Sequence, residues 1–292
     1  MFTEFFCGIG GISASMLPQT NSLSIDINQN ALLVHGMNSE HALICKAIES
    51  LTVEQAQKYP ADFWWMSPPC QPYTRRGKQK DLADPRTAGL RNMLTLIAEL
   101  RPAYLGLENV PEFQMSMSHQ LLLDTLKSSG YTVAERLLCP TELGASNQRK
   151  RYYLLASQHQ LPDWKATLAN PATRPELEDD IDWDTYRLPA AIQSDYESAL
   201  HLVEAPSWLS GESTTTCFTS AYGRSPVFSG SFLKFGNEIR RFTPREVLWQ
   251  LGFPKTYQIP DWPPEKLWPL IGNSLSLHAV KYVLSHLPFG TR

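Results

Sequence analysis

No uninterrupted apolar run in this chain approaches the ~20 residues a membrane-spanning helix needs, and its first residues show no basic region leading into an apolar core. A membrane-spanning helix and a secretory leader are therefore not expected. The opening residues, Met1-Phe2-Thr3-Glu4-Phe5-Phe6, read as a strand, so no targeting peptide is expected ahead of the fold. Paired cysteines are missing too. The five present, Cys7, Cys45, Cys70, Cys139 and Cys217, are odd in number and scattered, with neither disulfide nor metal-ligand spacing. That usage fits a reducing cytoplasm and predicts no metal site. Positive charge is not in excess: the formal net charge is −3, so no global field advertises a nucleic acid. Internal repeats and low-complexity tracts are also absent. What is there is ordinary for a folded protein: 292 residues, 42% hydrophobic and 19% charged, enough for one large domain and a smaller one.

The run Met66-Ser67-Pro68-Pro69-Cys70-Gln71-Pro72 stands out against that background. Ahead of it, Ala61-Asp62-Phe63-Trp64-Trp65-Met66 is apolar enough to be a buried strand. Each proline fixes φ near −65° and removes a backbone donor, so the strand must stop there. Cys70 then lies just past the C-terminal end of a strand, where open α/β sheets build their sites. A stiff backbone suits a nucleophile that needs aim. Taken alone, the run reads more readily as a proline-rich turn with a structural thiol, and only the rest of the chain reverses that.

Strand-like and helix-like segments alternate over residues 1–157. Strands are predicted at Thr3–Phe6, Ser22–Ile27, Phe63–Met66, Ala103–Leu107 and Arg151–Ala156, and helices around Gly11–Met16, Val53–Lys58, Leu90–Leu100 and His119–Ser128. Repeated βα units predict a mostly parallel sheet with helices on both faces. Composition shifts near residue 158, where Leu161–Leu188 is rich in Pro, Asp, Glu and Trp. Residues 158–269 are expected to form a smaller, irregular domain, and residues 270–292 to complete the first. Inside the smaller one, Thr243-Pro244-Arg245-Glu246 predicts a helix start, with Thr243 as N-cap, Pro244 in the first turn and Glu246 closing a capping box.

Several strand ends carry chemistry. Phe5-Phe6-Cys7-Gly8-Ile9-Gly10-Gly11 is a Gly-rich strand-to-helix turn that lets a ligand approach the backbone closely. It lacks the full dinucleotide spacing and no other phosphate cradle appears, so a ligand with an adenosine part and an uncharged linker suits it better. Asp26 ends the second strand, where doubly wound folds place a carboxylate on ribose hydroxyls, although a helix cap is an equal reading. Glu108 ends a strand on the same sheet edge as Cys70, and as a proton donor it could serve a ring nitrogen; its plain alternative is capping the next helix. Arg149 and Arg151, in Gln148-Arg149-Lys150-Arg151, would share one side of a strand and suit a phosphate or polarised carbonyl, or else a solvated edge. Further basic clusters lie at Arg75-Arg76-Gly77-Lys78 and Arg240-Arg241.

In this order the pieces resemble the cytosine 5-methyltransferases that use S-adenosylmethionine. The resemblance covers 5–156 and 240–276 and includes Ile271-Gly272-Asn273-Ser274. Within that superfamily, Pro68-Pro69-Cys70-Gln71-Pro72-Tyr73-Thr74-Arg75 and Thr216-Cys217-Phe218-Thr219 with Tyr222-Gly223 resemble the tRNA-Asp cytosine-5 methyltransferases and their Cys-Phe-Thr signature. Tyr73 departs from the usual Phe, and the segment before Cys217 is short. The resemblance implies a Rossmann-like α/β methyltransferase domain with a small target-recognition domain, a monomer in the cytoplasm acting on cytosine 38 of tRNA. A DNA cytosine-5 methyltransferase is the alternative. It implies Cys70, Glu108, Arg149 and Arg151 as catalytic residues. Cofactor residues would be Phe6, Gly8, Ile9, Gly10, Gly11, Asp26, Ile48, Glu49, Ser67, Asn273 and Ser274. Arg75, Arg76, Lys78, Cys217, Phe218 and Thr219 would meet the substrate. The implied chemistry adds the Cys70 thiolate to cytosine carbon-6 while Glu108 protonates ring nitrogen 3.

Overall fold

The computed structural model describes residues 1–16, 22–40, 42–74, 79–166 and 176–288. The chain divides into two compact units: residues 1–138, 150–166 and 280–292 form the first, and residues 139–149 and 167–279 the second.

The first unit is built on a seven-stranded sheet. In chain order its elements are β1 (Phe2–Phe5), α1 (Gly11–Ser15), β2 (Leu23–Asp26), α2 (Gln29–Gly36), β3 (Ala42–Cys45), α3 (Val53–Gln57), β4 (Phe63–Met66), α4 (Ala88–Leu100), β5 (Tyr104–Asn109), α5 (Met117–Ser128), β6 (Thr132–Leu138) and β7 (Arg151–Ser157). The strand order is β3-β2-β1-β4-β5-β7-β6. The first five of these neighbours run parallel, while β7 runs antiparallel to both β5 and β6. The order reverses between β1 and β4, and crevices for ligands open at such switch points, beyond the carboxyl ends of the strands.

Central parallel strands are covered on both faces, which explains why β1 (Phe-Thr-Glu-Phe) and β4 (Phe-Trp-Trp-Met) are buried along their whole length. Phe5 and Trp64 meet edge to face at 5.1 Å. Gly106 in β5 is explained by its neighbour: a Cβ there would lie 2.4 Å from the Trp65 ring. The core on the Phe5 face is filled by Ile25, Met66, Met93, Ile97, Leu107 and their neighbours. Neither α2 nor the edge strand β6 is among the elements the sequence predicted. Most of β6 is half-buried, so its apolar pattern is weak.

The second unit holds α6 (Trp183–Tyr186), α7 (Ala190–Tyr196), β8 (Leu202–Glu204), α8 (Ala205–Ser210), β9 (Phe232–Phe235), β10 (Glu238–Arg241), α9 (Pro244–Gln250) and α10 (Pro264–Gly272). A final helix, α11 (Leu277–Leu284), follows. The strands form a small sheet in the order β10-β9-β8. Helix α9 starts as its sequence predicts: the Thr243 hydroxyl accepts from Glu246 N at 3.1 Å, and Glu246 Oε2 accepts from Thr243 N at 2.8 Å. The same Glu246 carboxylate accepts two bonds from the Arg240 guanidinium at 2.8 Å, with both side chains buried. The acidic stretch Glu176-Leu177-Glu178-Asp179-Asp180 fastens to this helix and the residues after it. Glu178 meets the Thr243 hydroxyl, and Lys255 donates to Glu176 at 2.8 Å. Among the described residues no helix is long and apolar enough to cross a membrane, and no cluster of metal-ligating side chains occurs.

Candidate active site

In the first unit, five segments leave the carboxyl ends of the parallel strands. After β1, Phe6 has φ +56°, Gly8 φ +51° and Gly10 φ +84°, a run of left-handed residues that folds the turn back under α1. A Cβ on Gly8 would meet nothing within 4 Å, so this side is open to a ligand. Gly10 serves packing instead, because a Cβ there would lie 2.5 Å from the His35 ring.

Asp26, at the end of β2, accepts from Gly8 N through Oδ2 and from Asn28 N through Oδ1, both at 2.8 Å. The cap of α2 is Asn28, whose side chain accepts from Asn30 N and Ala31 N. The cap reading of Asp26 therefore falls away. Its carboxylate is pinned to the Gly-rich turn itself. Ile48 and Glu49 do not end a strand: β3 stops at Cys45, and both belong to a short 3₁₀ turn. Glu49 and Phe6 nonetheless converge on one spot. A Cβ on Gly89, in the first turn of α4, would lie 3.0 Å from the Phe6 ring and 3.6 Å from Glu49 Oε2. The open face at Gly8, the Asp26 carboxylate and the Phe6–Glu49–Gly89 cluster fit a nucleoside whose linker carries no phosphate.

Beneath the turn, Glu4 of β1 is 1% exposed and accepts from Ile12 N at 3.1 Å and from the Ser13 hydroxyl at 3.0 Å. Ser13 in turn meets His35 Nε2 at 3.0 Å. Burial pushes the Glu4 carboxyl up to about 7, against the opposing pull of these hydrogen bonds. Neither Glu4 nor Gly89 was singled out from the sequence. A carboxylate in the middle of an apolar strand was the available signal for Glu4.

After β4, the prolines end the strand and Cys70 opens a turn in which its carbonyl accepts from Tyr73 N at 3.0 Å and Thr74 N at 3.2 Å. Cys70 is half-buried and packs against the core. The loop is tied at two points to neighbouring strand ends: Ser67 N donates to Phe5 O at 3.3 Å, and Asn109 Nδ2 to Pro68 O at 3.2 Å. Ser67 also accepts from Trp65 Nε1 at 2.8 Å, so its hydroxyl is engaged within the protein. Tyr73 buries its ring edge-on against Phe113 at 5.0 Å, and burial pushes its hydroxyl up to about 12. Farther along, Asp81 accepts from Ser118 N at 3.1 Å and from Met117 N, fastening the loop to the start of α5. Arg75, Arg76 and Lys78 lie outside the described residues.

Glu108, near the end of β5, is 8% exposed, and Arg151 Nε sits 3.1 Å from its Oε1. The register pairs Glu108 with Tyr153 across the antiparallel β5–β7 ladder. Arg151 is therefore a diagonal neighbour on the same face, close enough for a long side chain to reach.

The second unit gathers the other motifs. β7 begins at Arg151, so Arg149 lies outside the strand and the alternation that would have aligned the two arginines does not reach it. Its guanidinium is 3% exposed and donates to Phe218 O at 2.9 Å, to Gly272 O at 3.1 Å and to Ser274 O. Cys217 Sγ lies 3.4 Å from the same group. One side chain thus joins three motifs that are far apart in sequence. Gly272 is required by the closeness of that packing, since a Cβ would fall 2.3 Å from the Thr219 backbone. Phe218 is a core ring, 1% exposed, edge-on to Tyr222 at 4.9 Å. Thr219 holds its own turn by accepting from Ala221 N at 3.2 Å. Asn273 is exposed at the end of α10, and Ser274 is buried.

Comparison with known proteins agrees with this arrangement. The family model for C-5 cytosine-specific DNA methylases matches residues 1–226. The tRNA (cytosine(38)-C(5))-methyltransferase of Bos taurus is 29% identical, with 97% of this chain and 98% of that protein aligned. A protein of Dictyostelium discoideum named DNA (cytosine-5)-methyltransferase is 27% identical over 97% of this chain and 93% of its own length. Among solved structures, the S. pombe Dnmt2 methyltransferase superposes with a TM-score of 0.83 at 26% identity, covering 99% of each chain.

Proposed function

Because the chain belongs to the C-5 cytosine-specific DNA methylase family, we propose that it transfers a methyl group from S-adenosylmethionine to carbon-5 of a cytosine in tRNA, with cytosine 38 of tRNA-Asp as the target. The observation that carries this reading is the set of strand ends at one sheet edge. The open turn at Gly8 with Asp26, the Cys70 loop and the Glu108–Arg151 pair all leave the same ends of β1, β2, β4 and β5. Such an edge brings a nucleoside cradle, a nucleophile and a proton donor into one crevice.

When bound, the cofactor supplies an electrophilic methyl group. Phe6, Gly8, Ile9, Gly10, Gly11 and Asp26 would hold it, with Ile48 and Glu49 at its base and Asp26 taking the ribose hydroxyls. Cys70, as thiolate, adds to carbon-6 of the cytosine, forming a carbon–sulfur bond. Glu108, oriented by Arg151, gives a proton to ring nitrogen 3, so the electron pair of the 5,6 double bond becomes available at carbon-5. Once carbon-5 is methylated, loss of its proton restores the 5,6 double bond and expels Cys70 as thiolate, while the proton on ring nitrogen 3 returns to Glu108. Attack from above the ring requires an unstacked base, which an anticodon loop offers at less cost than a duplex. Arg149 acts in this scheme as a positioning residue, with Cys217, Phe218, Asn273 and Ser274 forming the frame it fastens.

Two further points support RNA over DNA. The second unit is the smaller of the two, and more of the relatives aligned over nearly the whole chain are named for tRNA than for DNA. The relative named for DNA keeps duplex DNA as the second reading. Incubation with labelled S-adenosylmethionine and either a tRNA-Asp transcript or duplex DNA, followed by mapping of the product, separates the two. Label at cytosine 38 of the transcript is expected. Label in DNA alone would overturn the proposal.

A further inference from the structure

The second unit carries one side chain whose placement is costly twice over. Phe228 is 72% exposed and sits at φ +57°. The left-handed region is cheap for Gly and rare and strained for a bulky residue. A single exposed hydrophobic residue is unremarkable. An exposed aromatic that is also strained points to a use, because Gly or Asn at this position would remove both costs.

The loop that presents Phe228 is clipped from within. Thr219 N donates to Ser229 O at 2.8 Å, Ser225 Oγ to Val227 O at 3.0 Å, and the Ser229 hydroxyl to Ser225 O. Gly230 next to it is pressed onto the core rings, where a Cβ would lie 2.5 Å from Phe218 and 2.7 Å from Tyr222. Such bracing holds a ring in place at little entropic cost on binding. Charge within its own stretch of sequence has one sign, although Lys234 is paired with Glu204 at 2.8 Å. From Ser213 to Asn237 the chain contains no carboxylate, and its only charged residues are Arg224 and Lys234. Arg224, four positions before Phe228, is exposed. A braced aromatic on a loop that also carries an exposed guanidinium, one that donates to Ser220 O at 3.0 Å, is a combination that suits unpaired nucleic acid: the ring stacks on a base and the cation meets a phosphate.

We infer that Phe228 is a stacking platform for an unpaired base of the RNA substrate, with Arg224 contacting its backbone. This inference rests on the RNA reading above and assigns that reading a substrate-binding residue outside the family motifs.

The test compares wild type with Phe228→Trp, Phe228→Ala, Phe228→Gly and Arg224→Ala on a tRNA-Asp transcript. Base–aromatic stacking is worth roughly 5- to 150-fold, so the Ala and Gly variants are expected to lose about tenfold or more in kcat/KM while Trp stays within about twofold. The Gly variant also separates recognition from folding: relief of the left-handed strain should keep or raise its melting temperature while the RNA loss persists. Stacking releases no counterions, so the Phe228 variants should keep the wild-type salt slope of binding, whereas Arg224→Ala should lower it by about 0.7. Folded Ala and Gly variants that methylate the transcript at wild-type efficiency would sink the inference and leave the RNA reading standing. Wild-type enzyme that methylates duplex DNA and no transcript would remove both.

Discussion

Recognisable motifs occur in both units, yet they do opposite things. In the first, two motifs leave their strands and turn outward: the Gly8 face is open, and Cys70 is only half-buried. In the second, the motifs turn inward on one another. Arg149 is buried among the carbonyls of Phe218, Gly272 and Ser274, and Gly272 exists to let the Thr219 backbone come close. A signature in sequence can thus mark a reactive group or a fastening. Burial and hydrogen-bond partners tell them apart, where residue type does not.

The largest test of this contrast is at Cys70. Cys70→Ala should cut methyl transfer by at least about 10³-fold while leaving cofactor affinity and melting temperature nearly unchanged. A variant with wild-type turnover would end the outward-facing account of the first unit. Arg149→Met should behave in the reverse manner. Removing the guanidinium leaves buried carbonyls without donors, a cost of about 3 kcal/mol or more, read as a shift in the urea midpoint. Activity should fall with the folded fraction, and a stable but inactive Arg149→Met enzyme would return that residue to the chemistry.

A smaller and subtler effect is expected at Glu4, which lies under the outward-facing turn yet is wholly buried. Its carboxyl keeps its proton up to about 7, whereas the unfolded chain releases it near 4.5. The folded state then binds more protons in that window, so stability should fall as pH rises through it. At about 1.4 kcal/mol per unit over the interval from 4.5 to about 7, the fall is roughly 3 to 4 kcal/mol. Glu4→Gln should flatten this part of the profile in urea titrations at several pH values. Parallel profiles for variant and wild type would show that Glu4 is ionised in the fold.

Much of the first unit could be read from the chain. Prolines at 68 and 69 force β4 to end, and continuous apolar runs such as Phe63–Met66 signal central strands. Thr243-Pro244-Arg245-Glu246 forms its capping box because that signal is local and involves four adjacent residues. What escaped depends on partners distant in sequence. Glu4 looked like an ordinary strand residue until Ile12 and Ser13 folded over it. Gly89 mattered only once Phe6 and Glu49 met it. Arg149 was paired by strand alternation with Arg151, but β7 starts two residues too late for that rule, and its partners lie beyond residue 217. The acidic stretch had no visible purpose until Glu178 reached Thr243.

The antiparallel course of β7 has a consequence for how the chain tolerates change. Because β7 enters the sheet at the edge where β5 leaves it, Arg151 is the first strand residue to meet Glu108. Insertion of one residue between Arg151 and Tyr153 would move the guanidinium about 3.4 Å along the ladder and turn it to the opposite face. The same insertion between Leu138 and Ala145, ahead of the Asn147–Thr215 bridge and of Arg149, leaves that register untouched. Natural length variation is therefore expected to gather before the strand and to be purged within it, so that a single step of the ladder separates neutral drift from loss of the ion pair.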